Sequence, residues 1–291
     1  TSTLTFTNAN WDTPQTVTVT GVDDNIIDGT ISSTMTITVD DANSDNDFDN
    51  VADQTVTTTT TDDDVAGFTV VESDGSTSVD ESGTTDTFTI VLDAQPASNV
   101  VIAMSSSDTG EATLSGTLSF TNANWDTPQT VTVTGVDENI IDGNQTSTIT
   151  ITIVDSISDN DFDAVADQTV TATITDDDVA GFTIAESGGS TAVDESGTTD
   201  TFTVVLDAQP ASDVVLTITS SDTSEATVNT PLTFTDANWD TPQTVTVTGI
   251  DDNLVDGNID STITITVDDA NSDNDFDNVA DQTVTTTTTD D

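Results

Sequence analysis

The chain has 291 residues and 55 acidic side chains, with no lysine, arginine or histidine, so its formal charge is −55. That balance excludes side-chain ion pairs and argues against nucleic acid or membrane partners, since phosphate backbones and anionic lipid surfaces are recognised through lysine and arginine. Cysteine is also absent, so no disulfide contributes, and no apolar run approaches the ~20 residues of a membrane-spanning helix.

High charge with few aromatics is also a signature of disorder, but 33% of the residues are hydrophobic and they recur in a strict pattern. The chain opens on Thr1 without a visible signal peptide, and we read it as a segment of something longer.

Residues 1–64 match only part of each later repeat. "NANWDTPQTVTVTG" at 8–21 recurs at 122–135, and as "DANWDTPQTVTVTG" at 236–249. Trp11, Trp125 and Trp239 are spaced by 114 residues, and "VDESGTTDTFT" at 79–89 returns 114 residues later. A period that long is a whole domain rather than a solenoid unit. Cutting after each aspartate triplet gives 1–64, 65–178 and 179–291. The first is expected to be the second half of a β-sandwich, because residues 4–6 align with 118–120. Half a sandwich exposes a core face and unpaired edges. The missing strands are therefore expected from further repeats upstream, or from a neighbouring subunit by strand donation. Both routes make copies of the chain its head-to-tail partners in a filament.

In 65–178 the predicted strands are 67–79, 87–92, 99–105, 117–120, 130–136, 147–154 and 169–175. Each alternates apolar and polar residues with threonine, valine and isoleucine dominant. Clusters such as "SSSDTG" and "DENIIDGN" separate them, and no 3.6-residue stripe appears. The fold class expected is all-β: tandem antiparallel seven-stranded sandwiches of immunoglobulin-like type, arranged as a linear rod. Val131 and Val133 are predicted to point inward, and Thr130, Thr132 and Thr134 outward.

If successive strands alternate in direction, the loops sort onto two poles. One collects Asp80, Glu81, Asp86, Asp108, Glu111, Asp137, Glu138, Asp142 and the triplet Asp176, Asp177 and Asp178. The other collects Asp93, Asp126, Asp155, Asp159, Asp161, Asp163 and Asp167. Two carboxylates about 5 Å apart repel by about 3 kcal/mol at an effective dielectric near 20, so a contiguous triplet needs a cation or full exposure. Oxygen ligands alone suit Ca²⁺, whereas zinc and copper sites draw on cysteine or histidine. Acidic loops serving only solubility are the alternative, but that role does not require contiguous triplets. "DNDFD" at 159–163 is not an EF-hand, since Ala164 and Val170 occupy the positions that would be glycine and glutamate. A looser calcium loop through Asp159, Asp161 and Asp163, and through Asp273, Asp275 and Asp277 one repeat later, stands beside a solvated turn.

The elements "VDESGTTDTFTIVL", "GTLSF", "PQTVTVTGVDENIID" and "TVTATITDDD" together resemble the Calx-beta domain found in sodium–calcium exchangers, integrin β4 and bacterial surface proteins. The resemblance spans the whole repeat, and the terminal aspartate run is its most specific part. It implies calcium ligands at Glu81, Asp108, Asp137, Glu138, Asp142, Asp176, Asp177 and Asp178. The 114-residue register extends these to Asp23, Asp24, Asp28, Asp62, Asp63 and Asp64 in the first segment. In the last repeat it extends them to Glu195, Asp222, Asp251, Asp252, Asp256, Asp290 and Asp291. The sequence departs from the family at "NIIDGN", where a more acidic stretch is usual, and in lacking an Asp-Tyr pair before residue 117.

Three functions compete. The first is a structural extracellular or cell-surface module, an adhesin stalk or fibre, stiffened by several Ca²⁺ ions at each interdomain joint. There the triplet at the end of one repeat would face Asp273, Asp275 and Asp277 across the gap. The second is an ice- or glycan-binding module using outward threonine rows, set against ordinary β-propensity on a twisted face. The third is a carboxylate-pair glycosidase. Identical repeats without His, Cys, Lys, Arg or Tyr offer no single cleft, so an enzyme is not expected.

Overall fold

Threonine and valine alternate through "QTVTVTG", and burial follows the alternation: Val131 and Val133 are fully buried while Thr130 is exposed. The computed structural model, which describes residues 2–290, repeats this pattern in both complete repeats. The first segment holds β1 (Ile31–Ile37) and β2 (Gln54–Thr60). The next repeat holds β3 (Phe68–Glu72), β4 (Thr77–Asp80), β5 (Thr85–Leu92), β6 (Val100–Ser106), β7 (Ala112–Leu114), β8 (Leu118–Phe120), β9 (Gln129–Gly135), β10 (Gln145–Ile153) and β11 (Gln168–Thr175). The last holds β12 (Phe182–Glu186), β13 (Thr191–Asp194), β14 (Thr199–Leu206), β15 (Val214–Ser220), β16 (Ala226–Val228), β17 (Leu232–Phe234), β18 (Gln243–Gly249), β19 (Ile259–Val267) and β20 (Gln282–Thr289).

Each complete repeat is a sandwich of two sheets. Strands pair in the order β3-β5-β9-β7 in one sheet and β4-β11-β10-β6-β8 in the other, and β12 to β20 repeat this order. Phe88, Phe120, Phe162, Ile102 and Ile151 are buried in the first core. Phe182, Phe202, Phe234 and Phe276 are buried in the second.

The structure corrects the strand count from seven to nine per repeat. The predicted strand 67–79 divides at Asp74 and Gly75, both at positive φ (54° and 83°). The Asp86 carboxylate pins the break, accepting from the Ser73 hydroxyl and the Ser78 N–H. Its first half stays with β5, while its second half crosses to the other sheet and pairs parallel with β11. One pairing in each sandwich is thus parallel, where an all-antiparallel one was expected. The ninth strand, β7, is three residues long and pairs with β9; so short a run carries little periodic signal in the sequence.

The crossing strand matters for what lies at its end. It delivers Glu81 to the point where β11 stops, and the Glu81 N–H donates to the Thr175 carbonyl (3.1 Å). Gly135 makes the approach possible, because a Cβ there would collide with the Asp80 carbonyl oxygen. The first segment differs. Residues 4–6 and 15–21, counterparts of β8 and β9, form no strand. β8 pairs with β6, and β9 with β5 and β7, and the described residues 2–64 include no counterpart of those partners. Phe6 is accordingly 53% exposed and Trp11 70%, whereas Phe120 is fully buried.

Candidate metal centre

Four chain segments of the middle repeat converge at one end of the sandwich. Glu81 arrives from the end of β4, Glu111 from the turn before β7, Glu138 and Asp142 from the loop after β9, and Asp176 and Asp178 from the exit of β11. Their oxygens fall into two groups, Glu81 with Asp176 and Asp178, and Glu111 with Glu138 and Asp142. Within each group the atoms lie within 4.8 Å of one another. In the last repeat Glu195, Glu225 and Asp256 form a third such group.

The first aspartate of each terminal run, Asp62, Asp176 and Asp290, has a structural task. Asp176 accepts from the N–H of Gly143 (2.7 Å) and of Asp178 (2.8 Å). Asp62 accepts from Gly29 (2.7 Å), Asp28 and Asp64, and Asp290 from Gly257 (2.8 Å). All three glycines have positive φ, which presents the amide to the carboxylate. This staple ties the acidic loop to the end of the final strand.

Several of the remaining carboxylate oxygens are left without partners. Both Glu81 oxygens, Glu111 Oε2, Glu138 Oε1, Asp178 Oδ2 and Glu225 Oε2 are buried and make no hydrogen bond. Glu81 is fully buried, and burial together with Asp176, Glu111, Asp142 and Glu138 pushes its carboxyl up to about 7. Burial and neighbouring carboxylates also raise Glu111, Glu138, Asp178, Glu195 and Glu225. Buried polar groups in folded proteins are normally satisfied. A cluster of orphaned anions with no cation in the sequence fits an external cation, and an all-oxygen set of this density fits Ca²⁺.

The other predicted ligands are distributed around these groups. Asp108 is exposed, accepts from the Gly110 N–H (2.9 Å) and raises Glu111 by its charge. Asp137 is exposed and, with exposed Asp177, raises Asp178. Asp222 accepts from Ser224 and adds to the field on Glu225, as does Asp252; Asp251 is exposed. Asp290 raises Glu195, and Asp291 lies outside the described residues. In the first segment burial raises Asp64, and the charges of Asp62, Asp63, Asp23 and Asp24 add to it; Asp28 lies in the stapled loop. No glutamate equivalent to Glu81 stands among them.

Two participants escape the sequence reading as ligands: Glu111, which strand counting places at this end, and Glu225. Each follows a predicted ligand, Asp108 or Asp222, by three residues, and that spacing was the available signal.

The "DNDFD" turns do different work. Asp159 caps a short 3-10 turn, accepting from the Asp161 N–H (3.2 Å), and reaches the Ser98 N–H (2.6 Å). Burial pushes its carboxyl up, but the hydrogen bonds from Ser98 and Asp161 outweigh that and hold it low. Asp273 caps the equivalent turn, its carboxylate accepting from the N–H of Asp275 and of Ser212. Asp161, Asp163, Asp275 and Asp277 are exposed, and none of the acidic groups found among the described residues contains them. These turns are capped by their first aspartate.

No family model matches the chain, and no curated protein matches it. Among solved structures it is similar to CBD12 from CALX1.2, with 14% identity over 68% of this chain and 78% of that one, at a TM-score of 0.29. It is also similar to the apo form of the Calx CBD1 domain (16% identity, 38% of this chain, 98% of that one, TM-score 0.29). A third similarity is to domains 4 and 5 of the S-layer protein SbsC (15% identity, 76% of this chain, 97% of that one, TM-score 0.32). The β-sandwich assignment stands on the pairing of the chain's own strands.

Proposed function

We propose that the chain is a structural repeat module of an extracellular or cell-surface rod, an adhesin stalk or fibre, whose joints are stiffened by Ca²⁺. The observation that carries this reading is Glu81, fully buried, with both oxygens unpartnered and other carboxylates around it. In the middle repeat Glu81, Asp176 and Asp178 would hold one ion, and Glu111, Glu138 and Asp142 a second. In the last repeat Glu195, Glu225 and Asp256 would hold another. Bound calcium would supply the positive charge that no side chain provides.

The joint follows from where these residues lie. Asp178 is followed by Val179, and β12 begins three residues later at Phe182. The loop carrying Glu138 and Asp142 also touches the next repeat, through a bridge between Ile140 and Gln209 and the packing of Ile141 on its core. An ion that fixes the loop and the end of β11 fixes both connections at once. Repeats in unbroken register add length without new chemistry, and copies of the repeat in head-to-tail order are the proposed partners.

Calorimetric titration of the whole chain with Ca²⁺ tests the reading, using Glu81→Gln as the comparison. The expected result is saturable binding, with the substitution removing ions from the middle repeat only. An absence of binding to the unsubstituted chain at millimolar Ca²⁺ would overturn it.

A further inference from the structure

The loop after β9 carries an aliphatic pair that metal ligation does not use. It occurs three times: Asn25-Ile26-Ile27-Asp28, Asn139-Ile140-Ile141-Asp142 and Asn253-Leu254-Val255-Asp256. At the first two copies the pair is seated on the following repeat. The carbonyl of Asn25 accepts from the Gln95 N–H (2.7 Å), and that of Asn139 from the Gln209 N–H (2.6 Å). Ile26 and Ile140 form the matching bridges to those glutamines. Ile27 packs against the core of the middle repeat and Ile141 against that of the last. The receiving glutamines are held in place, Gln95 by donating its side-chain amide to the Asn122 carbonyl and Gln209 to that of Asp236.

The third copy is shaped in the same way, and among the described residues it forms no such bridge or backbone hydrogen bond. The Leu254 N–H donates to Asp252, as the Ile26 N–H does to Asp24. Gly257 is stapled to Asp290 as Gly143 is to Asp176. Leu254 is nevertheless 65% exposed and Val255 95%, whereas Ile140 and Ile141 are both half-buried. A preshaped loop that holds two aliphatic side chains in water between aspartates has the form of an unoccupied contact.

We propose that Leu254 and Val255 form a docking plug for another copy of this 114-residue repeat. The plug would seat on that repeat's turn bearing the Gln95 or Gln209 equivalent. The occupant follows from the two filled seats, which use the same loop and the same backbone hydrogen bond. The proposal rests on the head-to-tail reading above but not on calcium.

The test uses the full chain lengthened in register by one aspartate and a second copy of residues 179–291. Amide hydrogen exchange is followed with and without Ca²⁺, in this chain and in its Leu254→Ser/Val255→Ser variant. The amide of the appended copy's Gln209 equivalent is expected to exchange at least roughly tenfold more slowly in the parent than in the variant. Gln209 itself, seated by Ile140, serves as the internal standard and should be unchanged. Both substituted side chains are exposed, so the melting temperature of the unlengthened chain should not move. Equal exchange at the appended glutamine in parent and variant would overturn the proposal. So would burial of Leu254 and Val255 without protection of that glutamine, since they would then be covering something else. Slowed exchange in chelator as well as in Ca²⁺ would support docking while counting against calcium as the agent of joint order.

Discussion

Glu81 carries the cost of assembling the acidic end, and that cost depends on pH. Its carboxyl is raised in the folded protein from an ordinary value of 4.5 to about 7. The folded state therefore holds a proton that the unfolded state releases at lower pH. By linkage, the metal-free protein is most stable below pH 4.5 with respect to this group, and loses that contribution as pH rises to 7. Glu111, Glu138, Asp178, Glu195 and Glu225 act in the same direction. Asp80, Asp86 and Asp159 are lowered by their hydrogen bonds. They add stability above their ordinary value of 3.8, and it is lost only in more acid solution. Metal-free protein is therefore expected to melt at a higher temperature at pH 5 than at pH 8. Calcium should invert the order, because it binds the deprotonated carboxylates. Replacing Glu81 with glutamine should flatten the metal-free pH dependence, and calorimetric scans at the two pH values read both effects.

The elements show what neighbouring strands contribute to a hydrophobic position. Phe6 and Phe120 occupy the same place in the 114-residue register, yet the first is 53% exposed and the second fully buried. Phe120→Ala should destabilise the middle repeat by about 3–5 kcal/mol. Phe6→Ala should cost under about 1 kcal/mol, in line with substitutions away from packed cores. Denaturant melts of the two variants provide the check, and similar midpoints would contradict the packing described. Strand existence and facing were legible in the sequence, because the alternation in "QTVTVTG" and "STITITI" continues through whole strands. The crossing of the first strand was not. It depends on Asp74 and Gly75 at positive φ and on the reach of Asp86 to Ser73 and Ser78, and none of these alters the periodicity. Strand direction sorted Glu81, Asp142, Asp176 and Asp178 to one pole, but the division that sets Asp142 apart from the other three was not legible. Glu111 was placed at the right end, but its part in a group with Glu138 and Asp142 is a matter of turn geometry. The aliphatic pair at Ile140 and Ile141 read only as a departure from an acidic loop, because the bridge partner of Ile140, Gln209, is 69 residues away.

Across the whole molecule, a charge of −55 with no cationic side chain leaves the acidic ends to be balanced from outside. Among the described residues, each junction between repeats carries a backbone bridge and a packed isoleucine. If calcium fixes the loop that carries both the acids and the isoleucines, stability and joint order should change together. A ligand that binds only the folded state at a concentration one hundred times its Kd adds about 2.7 kcal/mol. In repeats of this size that corresponds to a rise in melting temperature on the order of 10 °C. The most direct measurement is a thermal melt of the full chain with X-ray scattering, first in millimolar Ca²⁺ and then in excess chelator. The account predicts that chelator lowers the melting temperature by that amount and shortens the largest dimension in the scattering profile. A melt and a profile that are the same in both solutions would contradict it.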